Sequence, residues 1–348
     1  MTPVELSRTV LRAVRRAVDA GELSVVVPER AVVTVPGPGG AGDYATNIAL
    51  QLARPAGQPP LKVAEVLRPH LAGAEGVTGV EITGPGFLNI SLDRAAASTA
   101  LVRRIRREGI RYGHTGALTG QVYVLRVPYE VRAEVIADVL ARIVGSQGGR
   151  VEVEHREPAN VRPVPAPEDP TPLGPDAARW ALLHPAPHDR PRVTADHLVQ
   201  RESNPLFRVR YAHARTRATV RNAADLGFSA EPGEPTEPGV PIAQAAQAAP
   251  ATPSGVPATL LPLLADYPRL LATAAPLPRP DGIGTPGRLA RQLVAVADAT
   301  LDLLPATLPR GDEKPSAAHR ARLALAEAAG TVLAGGLSLL GIDAPDHL

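Results

Sequence analysis

Apolar residues recur along this chain in two rhythms, and the change from one to the other organises it. Helical spacing comes first. Over about Pro3 to Ala20, Val4, Leu11, Val14 and Val18 share one face, while Arg8, Arg12, Arg15 and Arg16 lie off it. A strand candidate, Ala31-Val-Val-Thr-Val35, leads into a proline- and glycine-rich turn. In the stretch Gly42-Asp-Tyr-Ala-Thr-Asn-Ile-Ala-Leu-Gln-Leu52, Asp43 is placed to cap a helix that carries Ile48 and Leu52 inward. Another helix, near Lys62 to Leu71, precedes strand-like Val80-Glu-Ile82 and then Gly84 to Leu92, which alternates from Phe87 onward. These segments predict a small sheet with helices on it.

The middle of the chain changes rhythm again. Gln121 to Val127 reads as a strand by alternation and β-branching, Val131 to Val144 as a helix, and Arg150 to His155 as a second strand. This makes one βαβ unit, joined by the short loop Pro128-Tyr-Glu-Val131. A parallel pair with a single helix is too small to stand as a nucleotide-binding domain, so it is expected to pack against one of its neighbours in the chain. From Asn204 onward helical spacing dominates: Asn204 to Asp225, Leu260 to Ala275, Arg288 to Leu304 and Ala317 to Leu340 predict a bundle. Two proline-rich stretches interrupt it. Glu157 to Pro175 predicts an extended linker and Ser229 to Pro257 a disordered loop. His184 and His188 stand four apart, but Pro185 and Pro187 oppose the helix that would aim both at one metal, so a surface loop is expected.

Composition narrows the classes. A chain of 348 residues, 44% apolar, suits about two domains with cores of ordinary size. The absence of cysteine removes disulfides and thiolate metal sites. No run of about 18 apolar residues reads as a bilayer span, and the first residues begin an amphipathic helix rather than a signal peptide, so a cytoplasmic protein without membrane contact is expected. All but two of the 37 basic residues are arginine, the exceptions being Lys62 and Lys314. Together with abundant Ala and Pro this looks like a coding bias, so arginine content alone argues little for nucleic acid. The formal charge is only +2, and a surface for a polyanion must therefore be a local patch.

One such patch is visible. Asn204-Pro205 supplies a cap and a first-turn proline, and the run to Asp225 contains no further breaker, which predicts a helix of about six turns. On it Phe207, Tyr211, Ala214 and Ala218 share one stripe, and Leu206, Val209 and Val220 share another roughly opposite. Arg208 and Arg215 flank the aromatic stripe on one side, Arg210, Arg217 and Arg221 on the other. From Arg201 to Arg221 six arginines face one acid, Glu202, a balance that suits a phosphate backbone. The residues by themselves fit a solvated basic helix with a buried aromatic equally well.

The segment Asn204-Pro-Leu-Phe-Arg-Val-Arg-Tyr-Ala-His-Ala-Arg215 resembles the opening of the DALR-type anticodon-binding helical domain of arginyl-tRNA synthetases, and Arg320 to Ile342 resembles that domain's terminal helix. Gly42-Asp-Tyr-x-x-Asn-x-Ala49, followed by Gly84-Pro-Gly-Phe-Leu-Asn89, resembles the additional N-terminal domain of the same family, which there meets the corner of the tRNA. Carried over by position, the resemblance implies tRNA-corner contact for Tyr44 and Asn47. It implies anticodon-arm contact for Arg208, Tyr211, His213, Arg215, Arg217 and Leu348. Phe87 is expected to pack inside, and Asn89 to make a turn or strand-end hydrogen bond. Two places depart from the family. Ala299 to Pro305 reads Ala-Thr-Leu-Asp-Leu-Leu-Pro where a cluster of Phe and Tyr is usual, and Leu348 replaces the usual terminal Met. Stacking on bases therefore rests mainly on Tyr211.

Between the two resembling ends the family carries a nucleotide-binding domain with a His-x-Gly-His motif early and a Lys-Met-Ser-Lys-like loop late. The nine histidines, at 70, 114, 155, 184, 188, 197, 213, 319 and 347, include no pair three apart, and neither lysine sits in such a loop. Nothing is then placed to neutralise a triphosphate in an adenylation transition state, which is chiefly an electrostatic task. Adenylation is expected to be absent, with no catalytic residues, metal or cofactor.

The expected architecture is a multi-domain α+β protein: a small N-terminal α/β unit (1–95), a truncated βαβ remnant of the catalytic domain (96–156), a linker (157–177) and a C-terminal all-α anticodon-binding helical bundle (178–348) with a disordered loop at about 229–257. The expected function is that of a non-catalytic tRNA-binding protein, a pseudoenzyme relative of arginyl-tRNA synthetase, with arginine isoacceptors as its first candidate ligands. Two alternatives stand beside it. One is participation in ATP-dependent arginyl-tRNA formation, alone or as helper of a full-length aminoacyl-tRNA synthetase; the other is a helical protein-interaction module that no longer binds RNA.

Overall fold

Residues 3–37, 40–235, 259–273 and 284–348 are described by a computed structural model, the side chains of Val4 and Arg94 excepted. Most of the loop expected to be disordered, residues 236–257, lies outside the described residues, as do 274 and 275 at the end of the expected Leu260 to Ala275 helix. The chain divides into two units, Met1–Leu101 and Val102–Leu348. Both are mixtures of helix and small sheets, and the second ends in helices.

In the first unit four antiparallel strands, β1 (Val33–Thr34), β2 (Tyr44–Thr46), β3 (Val77–Thr83) and β4 (Phe87–Leu92), lie in the order β1-β2-β4-β3. Helices α1 (Pro3–Asp19), α2 (Ile48–Ala56) and α3 (Pro60–Ala72) complete the unit, and one core joins them through Leu6, Val10, Ile48, Leu67, Leu88 and Ile90. The buried stripe of α1 is Leu6, Val10, Ala13, Val14 and Ala17, with Leu11 and Val18 half-buried at its rim, so the expected face is turned by about one position. Counting small alanines as core positions would have found it.

Asp43 caps no helix. Its carboxylate accepts the Leu92 amide at 2.8 Å and its own amide donates to the Ile90 carbonyl at 2.9 Å, because residues 44–46 have joined the sheet. Helix α2 starts only after Asn47. Phe87 stands 39% exposed at the start of β4, while Leu88, Ile90 and Leu92 point inward, so the expectation of a buried ring is corrected by the two-residue period of the strand. Asn89 makes the expected hydrogen bond, donating from Nδ2 to Thr83 Oγ1 at 2.7 Å.

Helix α4 (Arg94–Glu108), unforeseen from the sequence, leads into the second unit, with Asp93 accepting the Ala96 amide at 2.9 Å and with Val102 and Ile105 buried. The expected βαβ unit follows: β5 (Val122–Arg126), α5 (Val131–Ser146) and β6 (Arg150–Glu154), the strands parallel and in register from Val122 opposite Arg150 to Arg126 opposite Glu154. Beyond come α6 (Gly174–Leu183), α7 (Pro205–Asp225), α8 (Leu260–Ala272), α9 (Thr285–Leu303) and α10 (Ala317–Leu340). Helix α10 is long and apolar enough to cross a bilayer by composition, but most of it is buried, and only the narrow stripe of Arg320, Glu327, Thr331 and Ser338 is less so. It packs against α5, α7 and α9. A Cβ at Gly330 would lie 2.3 Å from Thr216 Oγ1 of α7, and one at Gly336 would lie 2.4 Å from Leu293 Cδ2 of α9, so glycine sets both spacings.

The 157–177 stretch is not a free linker. Asn160 accepts the Arg126 amide at 2.8 Å, donates from Nδ2 to the Val124 carbonyl at 3.1 Å, and its own amide bonds to the Arg126 carbonyl at 2.9 Å, pinning the chain along β5. Arg132, which the sequence reading passed over, organises the rest. Its side chain is fully buried, and its guanidinium donates to the carbonyls of Val164 and Asp189 (2.7 Å each), Leu182 and Ala186 (2.9 Å each) and Pro185 (3.3 Å). Burial lowers its pKa, against the pull of the Glu130 and Asp189 carboxylates. A lysine has only three donors and no fork to span these carbonyls. Arg132→Lys and Arg132→Met should each lower the unfolding free energy by about 3 kcal/mol or more, read by chemical denaturation; a wild-type midpoint in both would refute this role.

Candidate nucleic-acid interface

The cap that starts α7 forms as expected. Asn204 Oδ1 accepts the amides of Leu206 (3.1 Å) and Phe207 (3.4 Å), while Nδ2 donates to the carbonyls of His197 (2.8 Å) and Val199 (3.0 Å). The helix buries Leu206, Val209, Ala212, Thr216, Thr219 and Ala223 and leaves the Phe207 and Tyr211 stripe half-buried. The two rings stack at 5.4 Å with an interplanar angle of 18°, and the Arg215 guanidinium lies 5.8 Å from the Tyr211 centroid. Arg215 is exposed and has no carboxylate partner among the described residues. An aromatic platform edged by a free guanidinium can stack on a base and meet a phosphate.

The other arginines of α7 are engaged within the chain. Arg208 pairs with Asp298 of α9 at 3.1 Å, and burial pushes the Asp298 carboxyl above its ordinary range despite that arginine. Arg210 binds Asp176 of α6 and donates to the Asp343 carbonyl at 3.0 Å. Arg217 pairs with Asp346 at 3.1 Å, and Arg221 reaches His347 Nδ1 at 3.5 Å. Residues 343–347 thus run along one side of α7 and occupy its positive charge. The sequence held a signal for this strap in Asp343 and Asp346, two acids just beyond a helix-ending glycine.

His213, assigned to the anticodon arm by position, is 5% exposed, and its Nδ1 lies 3.1 Å from the Pro345 carbonyl beneath that strap. It is therefore a docking residue for the chain's own backbone, on the buried side of the helix, and is not presented with Tyr211. Leu348 is 54% exposed. In the first unit Tyr44 is half-buried against the core and paired in the sheet with Ile90, and Asn47 Oδ1 accepts Gln51 Nε2 at 3.2 Å. These two sit at the junction of β2 and α2. His184 stacks on buried Trp180 at 5.3 Å rather than standing in a free loop, whereas His188 is exposed. Among the described residues no group of three potential ligands could hold a metal ion.

The first turn of α5 follows a parallel strand, a position where helix amides often meet phosphates. Here the Glu130 carboxylate fills it, accepting from the amides of Arg132 (3.1 Å), Ala133 (2.8 Å) and, from across the loop, Ala166 (3.0 Å). An anion there would meet a fixed negative charge.

The first unit is an α+β unit with an antiparallel sheet, and the second ends in a helical bundle with a basic aromatic helix. Residues 5–92 match the arginyl tRNA synthetase N terminal domain family, and residues 209–348 match the DALR anticodon binding domain family. Arginine–tRNA ligases are its relatives: that of Renibacterium salmoninarum is 45% identical over 168 residues and that of Paenarthrobacter aurescens 40% over 168 residues. Each match covers 44% of this chain and 30% of the ligase, so the chain matches under a third of these relatives' length. The fold is similar to that of the Thermus thermophilus arginyl-tRNA synthetase, with a TM-score of 0.60 at 15% identity over the whole of both chains. The chain is arginyl-tRNA synthetase-like and carries a DALR anticodon-binding domain.

Burial lowers the pKa of His114, His184 and His213 below the ordinary value of 6.5, with nearby arginines adding to the shift. With folded values below the unfolded one, the unfolded chain binds more protons, so stability is held above about pH 6.5 and lost on acidification below it. The denaturation midpoint should fall between about pH 7.5 and about pH 5.5, and His213→Gln should reduce the fall. A pH-independent midpoint would contradict it.

Proposed function

We propose that this protein binds tRNA without aminoacylating it, presenting the α7 platform to the anticodon arm and the β2–α2 junction, with Tyr44 and Asn47, to the tRNA corner. The observation that carries the reading is the half-buried Tyr211 ring with exposed Arg215 beside it, on the helix that opens the matched anticodon-binding domain. Arginine isoacceptors are the first candidates, and the setting is cytosolic. The absence of catalysis is supported by the missing histidine pair and lysine loop within these residues and by the Glu130 cap that occupies the first-turn amides of α5.

A second reading, a helical protein-interaction module, is favoured by one observation: Arg208, Arg210 and Arg217 are already neutralised by Asp298, Asp176 and Asp346. In that reading a full-length aminoacyl-tRNA synthetase is one candidate partner. Retention of total tRNA against an RNA control of equal size, at two salt concentrations and with sequencing of what is held, separates the two. The tRNA reading expects selective retention, a loss of at least about tenfold in Tyr211→Ala/Arg215→Ala, and no ATP–pyrophosphate exchange with arginine. Equal, steeply salt-dependent binding of every RNA, with co-purification of a protein that survives nuclease, would move the conclusion to the second reading.

A further inference from the structure

The two-stranded sheet of the second unit has one edge covered and one open. Asn160 and Val161 line the outer edge of β5 at Arg126. The outer edge of β6 has no backbone partner among the described residues, and residues 152–156 are exposed. Arg150 donates its amide to the Gln121 carbonyl at 3.0 Å, and the Glu154 carbonyl accepts from Val127 at 2.8 Å, so Arg150 and Glu154 bond toward β5. By alternation Glu152 does too, and the amides and carbonyls of Val151 and Val153 point outward, unpaired. Val153 is 46% exposed, and Val122 and Val124 on β5 are exposed as well. An edge of this kind is a template for another strand.

The strand reads Arg150-Val-Glu-Val-Glu154, and this order chooses its partner. Turned antiparallel against itself about Glu152, it sets Arg150 opposite Glu154 of the other copy and Glu154 opposite Arg150. On the helix-covered face Val151 meets Val153 in both directions. The same register makes Val151 and Val153 the hydrogen-bonded pair, which is what their outward groups require. We propose that the outer edge of β6 is a self-association surface, pairing antiparallel with β6 of a second copy to give a four-stranded sheet. Opposed Glu152 side chains are the one like-charged pair in this register, and a five-residue strand buries little area, so the association is weak and concentration-dependent.

Sedimentation equilibrium of the full chain from about 10 µM to about 1 mM tests this, because a weak pair dissociates within that range. The mass should rise from 36.3 kDa toward twice that value. Val153→Pro deletes an outward amide and spares the ladder to β5, so it should hold the chain monomeric with an unchanged circular dichroism spectrum. Arg150→Glu and Glu154→Arg should each weaken association at least tenfold, the double variant should regain it, and Glu152→Gln should tighten it. A constant monomer mass across the range overturns the proposal. So does association that Val153→Pro leaves intact, or a double variant no better than its parents. If Val153→Pro does not fold, hydrogen exchange of the unaltered chain decides: the Val151 and Val153 amides gain protection with concentration, or the proposal fails.

Discussion

A helix whose polar stripe is only the narrow line of Arg320, Glu327, Thr331 and Ser338 has to bury all its other sides, and α10 obliges its neighbours to enclose it. This constraint fixes the second unit. Gly330 and Gly336 let the side chains of Thr216 on α7 and Leu293 on α9 reach the α10 backbone, at distances where a Cβ would collide with them, so the lack of a side chain at these two positions sets how closely the helices pack. Once α7 is seated by Leu206, Val209, Ala212 and Thr216, its opposite side has to carry Phe207, Tyr211 and Arg215. The candidate interface is thus a geometric consequence of the core, and a change deep in α10 would move it as surely as a change on it.

Electrostatics then decides how much of that side is available to a ligand. Six arginines between Arg201 and Arg221 suggest a strong cationic helix, but three of them meet carboxylates within 4 Å of their nitrogens, and Arg221 meets His347. Of these, the exposed Arg217–Asp346 pair contributes only about 0–1 kcal/mol and so holds the strap weakly, and all three reduce the positive field of α7. An incoming phosphate would have to compete with Asp346 for Arg217, whereas no acid among the described residues opposes Arg215. The useful positive charge is therefore concentrated beside Tyr211. A small net charge is compatible with nucleic-acid binding when charge is left unpaired locally, and on α7 Arg215 beside the aromatic stack is such a charge among the described residues.

Periodicity made most of the helices, though not α4 or α6, and the βαβ order and the Asn204 cap legible, because each rests on local chemistry: a 3.6-residue repeat, β-branched alternation, an amide-accepting side chain before a proline. What it missed depends on residues distant in the chain. Asp43 has the chemistry of a cap, but strand pairing of residues 44–46 with 88–90 takes it into the sheet. Residues 157–177 are rich in proline and read as a linker, yet the Arg126 amide and the Arg132 guanidinium hold that stretch from outside it. His213 lies near the aromatic stripe in sequence and turns inward because Pro345, 132 positions away, offers it a carbonyl. Of the candidate interface, Tyr211 and Arg215 could be read in advance; the strap was signalled only by two acids beyond Gly341, and nothing local in α7 says that one of them would pair with Arg217.

The contracted loop between β5 and α5 ties these threads together. In a parallel βα unit the amides of the first helical turn are a natural seat for an anion, and without a partner they would be left unsatisfied. Glu130 answers that need with three hydrogen bonds, and Arg132, two residues on, draws in the carbonyls of the returning chain. These amides serve as a structural joint. The same joint ties down the chain that follows β6, part of which covers the β5 edge, and among the described residues no strand follows to cover β6. A sheet of two strands gains little from its own pairing. Its open edge must therefore be guarded by charge or met by another strand, and Arg150, Glu152 and Glu154 can do the first alone and the second only with a matching sequence.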